Sequence, residues 1–133
     1  MYDEKLLKEL WDEREEVDGR DPKFFRLDPC GALIEWSKYG DPYDENGWVI
    51  DHVVPISKLK GASEEEIDDT INLRPMHYMN NITKEDDYPT YYASVIYKDD
   101  KNVEIDGWYE VNEELRDLLN EKYSKYLKND IES

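Results

Sequence analysis

A chain of 133 residues with four Trp, eleven Tyr and two Phe can bury an aromatic core without disulfides or structural metal. Its single cysteine, Cys30, excludes an intrachain disulfide and a Cys-rich zinc site, and no apolar run approaches the roughly 18 residues of a membrane helix. The formal charge of −17, from 17 basic and 34 acidic residues, opposes unassisted binding to nucleic acid, because phosphate affinity rests largely on Lys and Arg. The acidity is uneven. Residues 1–45 carry −7 and residues 85–133 carry −8, whereas residues 46–84 carry only −2. The N-terminus lacks an apolar signal region, so the expectation is a soluble, cytoplasmic, single-domain protein over residues 1–133.

Residues 2–16 read as a helix, with Asp3 as cap and Leu6, Leu7, Leu10 and Trp11 on one face. Residues 24–27 read as extended, 28–31 as a turn, 32–36 as a short strand and 40–47 as a loop. Trp48-Val49-Ile50 leads as a strand into Asp51-His52, and residues 53–56 are expected to continue extended. Ser63 and Glu66 form a capping box for one helical turn. Residues 71–74 read as the next extended piece, and Pro75 as the first residue of a helix running to about residue 85. Residues 91–97 and 103–111 read as a hairpin. Asn112 then caps a helix whose face carries Leu115, Leu118, Leu119, Tyr123 and Tyr126. The class is therefore α+β, with an N-terminal helix and a C-terminal hairpin-plus-helix extension.

The informative stretches are Gly47-Trp48-Val49-Ile50-Asp51-His52-Val53-Val54-Pro55, Asn72-Leu73-Arg74-Pro75 and Asn80-Asn81-Ile82-Thr83-Lys84. An acidic residue and a His at a strand end, an Asn opening the next piece, and an Asn on the following helix offer a candidate base beside candidate oxygen ligands. His52 is the residue type for a general base, with an ordinary pKa of about 6.5. Asp51 and Asn81 supply the hard oxygens that Mg²⁺ or Mn²⁺ takes. On a regular strand Asp51 and His52 point to opposite faces, so the chain is expected to bend after Ile50.

This ordered set resembles the HNH endonucleases over residues 47–86, with a weaker match back to Cys30-Gly31. The resemblance implies a ββα-metal core over about residues 30–88 and a metal-dependent endonuclease that hydrolyses DNA. It implies His52 as general base, Asp51 and Asn81 as ligands of one divalent metal, and Asn72 as the residue that orients the base loop through hydrogen bonds. It makes Lys84 a candidate phosphate contact, and Arg74 a candidate for phosphate or for a carboxylate. His77, four residues before Asn81, is an alternative metal ligand if it shares Asn81's helix face; an ordinary packing or surface role is the competing reading. Asn80 is expected to be cap-like or solvent-facing. Many HNH proteins bind structural zinc through two Cys pairs. The matching positions here are Leu27, Cys30, His77 and Asn80, so no structural zinc is expected, and Cys30 reads as a small buried apolar residue. The cluster at Glu64, Glu65, Glu66, Asp68 and Asp69 reads as a solvated face. The competing function is an acidic interaction or inhibitor protein, a DNA mimic on the same scaffold without nuclease activity. A nuclease recruited by a basic partner protein would reconcile the two. DNA as substrate, a basic protein on the acidic flanks and no membrane are the expected partners.

Overall fold

The computed structural model describes residues 2–127 and has an α+β architecture of short helices and three two-stranded antiparallel sheets. No helix among the described residues is long and apolar enough to cross a membrane. Helix α1 spans Glu4–Asp12, and the Asp3 side chain caps it by accepting from Leu6 N. It buries Leu7, Leu10 and Trp11. It stops short of residue 16 because Glu15 is drawn into a bridge with Leu27, whose N–H donates to the Glu15 carbonyl at 2.9 Å. Strand β1 (Phe25–Leu27) pairs with β2 (Leu33–Glu35) across the turn at residues 28–31.

Strand β3 (Trp48–His52) is followed by the single-turn helix α2 (Glu64–Ile67), which Ser63 and Glu66 cap reciprocally. Strand β4 (Leu73–His77) then returns antiparallel to β3, with Trp48 opposite His77 and Asp51 opposite Arg74. Two expectations change here. Residues 53–56 do not continue the strand: β3 ends at His52, Asn72 bonds the Val54 backbone through its side chain, and a 3-10 turn starts at Ile56. Pro75 does not open a helix but sits within β4, opposite Ile50. A two-stranded sheet has only edge strands, so the missing proline N–H can face away from the ladder.

Helix α3 begins three residues later and spans Tyr78–Lys84. His77 caps it, its Nδ1 accepting from Met79 N at 3.0 Å. Strands β5 (Thr90–Lys98) and β6 (Lys101–Glu110) form the expected hairpin. Its two turn residues, Asp99 and Asp100, have φ of 53° and 70°, the left-handed pair that a tight hairpin turn demands. Helix α4 (Glu113–Lys122) is capped by Asn112 and buries Leu119. Leu118, expected on the same face, is instead 48 % exposed.

Two apolar clusters hold these pieces. One packs Trp11, Trp36, Tyr39 and Trp48 with Leu7 and Ile34; the Trp11–Trp48 and Tyr39–Trp48 ring centroids lie 5.1 Å and 4.9 Å apart. It fixes the start of β3 against α1. The other gathers Val53, Val54, Leu59, Met76, Tyr91, Leu119 and Tyr123, so the turn after β3, β4, the hairpin and α4 share one core.

Between the clusters, Asp28 clasps two loops. Its Oδ1 accepts from Cys30 N and Ala32 N, both at 2.8 Å, and its Oδ2 accepts from His77 N and Asn80 Nδ2, both at 3.1 Å. A carboxylate thus joins the β1–β2 turn to the β4–α3 junction. Cys30 is buried beside it, with burial and then Asp28 pushing the thiol up to about 12. Asn80, expected at the surface, is fully buried. Its Oδ1 accepts from Ser94 N and Val95 N at 2.9 Å, and its Nδ2 donates to Val95 O at 3.0 Å as well as to Asp28. Asn80→Ala leaves these buried partners unmatched and should lower the unfolding free energy by about 3 kcal/mol. Urea denaturation checks this; a loss below about 1 kcal/mol would contradict it.

Candidate functional site

A cleft of about 370 Å³ opens where the end of β3 meets α3, and Asp51, His52 and Asn81 line it together. Ser57, Glu85 and Asp86 add polar groups, and Ile50, Ile56 and Ile82 add an apolar side. Glu85 ends α3 with φ of 51°, an uncommon backbone state for a side-chain-bearing residue. No Lys or Arg is among the lining residues.

Asp51 and His52 alternate along β3 as a strand requires. Asp51 turns inward and is 4 % exposed, whereas the His52 side chain is 19 % exposed. The expected bend after Ile50 is not needed, because β3 runs through His52 and both residues still reach the cleft at the strand's end.

Asp51 is held between two cations. Its Oδ2 accepts from Arg74 Nε at 3.0 Å, and its Oδ1 lies 3.3 Å from Lys84 Nζ. Lys84 also donates to the His52 carbonyl at 3.2 Å. Both cations are buried: Lys84 is 1 % exposed and Arg74 7 %. Burial pulls the Lys84 pKa down against the opposing pull of Asp51. Burial also works against the Arg74 charge, but Asp51 and Tyr91 outweigh it and leave that pKa raised. The Tyr91 ring adds a π face 5.3 Å from the Arg74 guanidinium carbon.

Neither cation therefore reaches towards the cleft as a phosphate contact. The helix explains Lys84: it lies four residues after Asn80 and shares that residue's inward face. Asn81 and Glu85 have the same spacing and share the face that lines the cleft. Asn81 is half-buried, and no hydrogen bond engages its side chain among the described residues.

His77 does not share a helix face with Asn81. It ends β4, with Nδ1 on Met79 N and Nε2 donating to Glu45 O at 2.7 Å, so both ring nitrogens are already used within the protein. Asn72 is fully buried at the head of β4. Its Oδ1 accepts from Val54 N at 2.7 Å, and its Nδ2 donates to Val54 O and Ile67 O at 3.2 Å and 3.1 Å. It thereby fixes the turn that follows His52.

The sequence reading missed what holds His52. Its Nε2 lies 2.7 Å from Asp68 Oδ1 and 3.2 Å from the Tyr2 hydroxyl, which itself donates to Asp68 at 3.3 Å. An ionised carboxylate only accepts hydrogen bonds, so Nε2 carries the proton. The neutral ring then keeps its lone pair on Nδ1, which has no hydrogen-bond partner among the described residues. Burial, and then Asp68, raises the Tyr2 pKa. The only sequence signal for this contact is the acidic cluster that spans α2 and the two aspartates after it, and nothing in it singles out Asp68. Of that cluster, Glu66 bonds to the Tyr126 hydroxyl and Asp69 pairs with Lys122.

Comparison with protein-family models gave no match, and no curated protein and no solved structure matched the chain.

Asp51 and Asn81 both line the cleft, and a carboxylate has about four lone-pair positions, of which Arg74 and Lys84 engage two at Asp51. Glu85 and Asp86 line the same space. These oxygens fit Mg²⁺ or Mn²⁺ in type, with the two buried cations weakening the pull of Asp51.

The ring assignment is open to ¹⁵N nuclear magnetic resonance, because the chain has two histidines. At a pH about two units above the ordinary His value of about 6.5, both rings should be protonated on Nε2. Asp68→Ala should introduce the Nδ1–H form in His52 and leave His77 unchanged. A wild-type His52 protonated on Nδ1 would contradict the geometry.

Proposed function

We propose that the chain is a metal-dependent HNH-type endonuclease that hydrolyses DNA phosphodiester bonds, with β3, β4 and α3 as its ββα-metal core. The observation that carries this reading is the convergence of Asp51, His52 and Asn81 on one cleft, from a strand pair and the helix that follows it. Asp51 and Asn81 are the residues that would hold the ion. A bound Mg²⁺ or Mn²⁺ supplies a Lewis acid that offsets charge on the phosphate and on the leaving oxygen.

The chain's own groups do the rest. His52 takes the proton of the attacking water on Nδ1 while Nε2 stays bonded to Asp68. The new bond joins the water oxygen to phosphorus, and the ester oxygen departs. Asn72 keeps the turn after His52 in place through its bonds to Val54. Arg74 and Lys84 hold Asp51 in its position.

A second reading rests on charge. The net charge is −17 and the cleft has no lining Lys or Arg, which also suits an acidic protein that occupies a basic partner. Within the nuclease reading, the same facts call for a basic partner that brings the DNA. Binding of DNA by this chain alone should be weak, with a logarithmic salt slope shallower than about −5.

Supercoiled plasmid with Mg²⁺ or Mn²⁺ separates the two functions. His52→Ala should reduce nicking by roughly 10²–10⁴ and leave Mn²⁺ binding nearly intact. Asp51→Ala is the less clean variant, because it strands two buried cations and should cost about 3–5 kcal/mol of stability. Absence of nicking by the wild type with either metal, also when a basic DNA-binding protein is supplied, would favour the acidic interaction reading.

A further inference from the structure

The β5–β6 hairpin buries one face. Tyr91, Ala93 and Val95 of β5 point into the protein, and the intervening Tyr92 turns to the opposite face. There Tyr92 stands opposite Trp108 of β6, and the two rings meet edge to face, with centroids 4.9 Å apart and planes at 83°. Trp108 is nevertheless 68 % exposed, whereas Trp11 and Trp48 are fully buried. Asp106 lies against the Tyr92 hydroxyl and, after burial, is the main cause of a raised Tyr92 pKa. Glu110, two residues beyond Trp108, is exposed and pairs with Arg116 at 3.2 Å.

A single exposed apolar residue needs no explanation, but an indole held at a fixed angle by a second ring is the kind of anchor that partner surfaces use. The charge around it selects the partner. Residues 102–114 hold five acidic residues and no Lys or Arg. Glu104 and Asp106 are exposed and make no ion pair among the described residues. Nucleic acid is repelled by such a strip. A second copy of the chain, also at −17, is repelled too. The register shift between Ala93 and Val95 further spoils β6 as an edge for strand pairing between copies. A cationic protein segment is the occupant that both the rings and the carboxylates attract.

We propose that the outer face of this hairpin docks a basic segment of a partner protein, with an arginine side chain over the Trp108 ring and Asp106 as its counter-charge. A cation over an indole face is attracted by the ring quadrupole, and guanidinium also stacks flat on the ring. The place suits the cleft. Thr83 Oγ1 of α3 donates to Ser94 Oγ of β5 at 3.0 Å, and Ser94 Oγ donates to Met79 O of α3 at 3.3 Å. The same helix carries Asn81, so a partner on the hairpin stands beside the helix that lines the cleft. Both functional readings above call for a basic partner, and the proposal rests on that requirement. Its binding is measured without metal or DNA, so its failure is distinct from failure of the nuclease reading.

The test is calorimetry of the full chain with an oligo-arginine peptide, beside nuclear magnetic resonance of the four indole N–H groups. The expected result is saturable binding, with the largest indole shift at Trp108. Trp108→Ala, with its fold checked by circular dichroism, should weaken binding by about three- to fivefold, the loss of one exposed cation–π contact. Asp106→Asn should weaken it more than Glu9→Gln, which removes the same charge from the exposed side of α1. Equal losses in Asp106→Asn and Glu9→Gln, or unchanged affinity in Trp108→Ala, would mean that overall charge holds the peptide and would overturn the proposal. Absence of saturable binding by the wild type would overturn it as well. Self-association of the chain without peptide, abolished by Trp108→Ala, would assign the face to a second copy and contradict the basic partner.

Discussion

The carboxylate of Asp51 sits almost dry between Arg74 and Lys84, and the cleft is organised around that contact. The triad joins three elements, since Asp51 comes from β3, Arg74 from β4 and Lys84 from the last turn of α3. Removing one member of such a buried group typically costs 3–5 kcal/mol, because the remaining charge is left uncompensated. Lys84 extends the link by bonding the His52 carbonyl, so the helix fixes both residues at the strand's end. The chemistry proposed for the cleft therefore uses a carboxylate that the fold also needs. A cation arriving there must share Asp51 with two resident positive charges, and Asn81, Glu85 and Asp86 are the other oxygens available to it.

His52 is held by a different kind of contact. Asp68 and Tyr2 approach Nε2 from outside the strand pair, the first from the loop after α2 and the second from the residue before the Asp3 cap. The long acidic loop between His52 and Asn72 thus contributes an orienting carboxylate, and the N-terminal segment reaches the site through one hydroxyl. Asn72 works on the next turn of chain from the opposite side. The result is a ring held through Nε2, with no hydrogen bond to Nδ1 among the described residues.

The sequence was legible where one local signal decided the outcome. The β-rich run at Trp48–Ile50, the Ser63–Glu66 capping box and the Asn112 cap all act over a few residues, and each forms as read. Pro75 was misread because its fixed φ suits a helix start and an edge strand alike; only the pairing with Ile50 decides. Lys84 and Asn80 were misread because a spacing of three from Asn81 was weighed above a spacing of four from Asn80, which puts both on the buried face. Arg74 was left between phosphate and carboxylate, and its position opposite Asp51 in the register resolves it. Asp28, Asp68 and Tyr2 could not be found from sequence. Asp28 and Asp68 are two among 34 acidic residues, and their partners lie up to 66 positions away.

The charge distribution sets the terms for any nucleic acid partner. The two cations that hold Asp51, Arg74 and Lys84, are buried, so on this account phosphate affinity at the cleft comes from a bound ion or from another protein. That places the weight of the account on a single property, the ability of this cleft to take a divalent ion. Calorimetric titration of Mn²⁺ into the wild type and into Asn81→Ala measures it most directly. The Asn81 side chain makes no hydrogen bond to the described residues, so its removal should leave the fold intact. The account predicts one Mn²⁺ per chain in the wild type, with affinity at least tenfold weaker in the variant. No Mn²⁺ binding by the wild type, or binding that Asn81→Ala leaves unchanged, would contradict it.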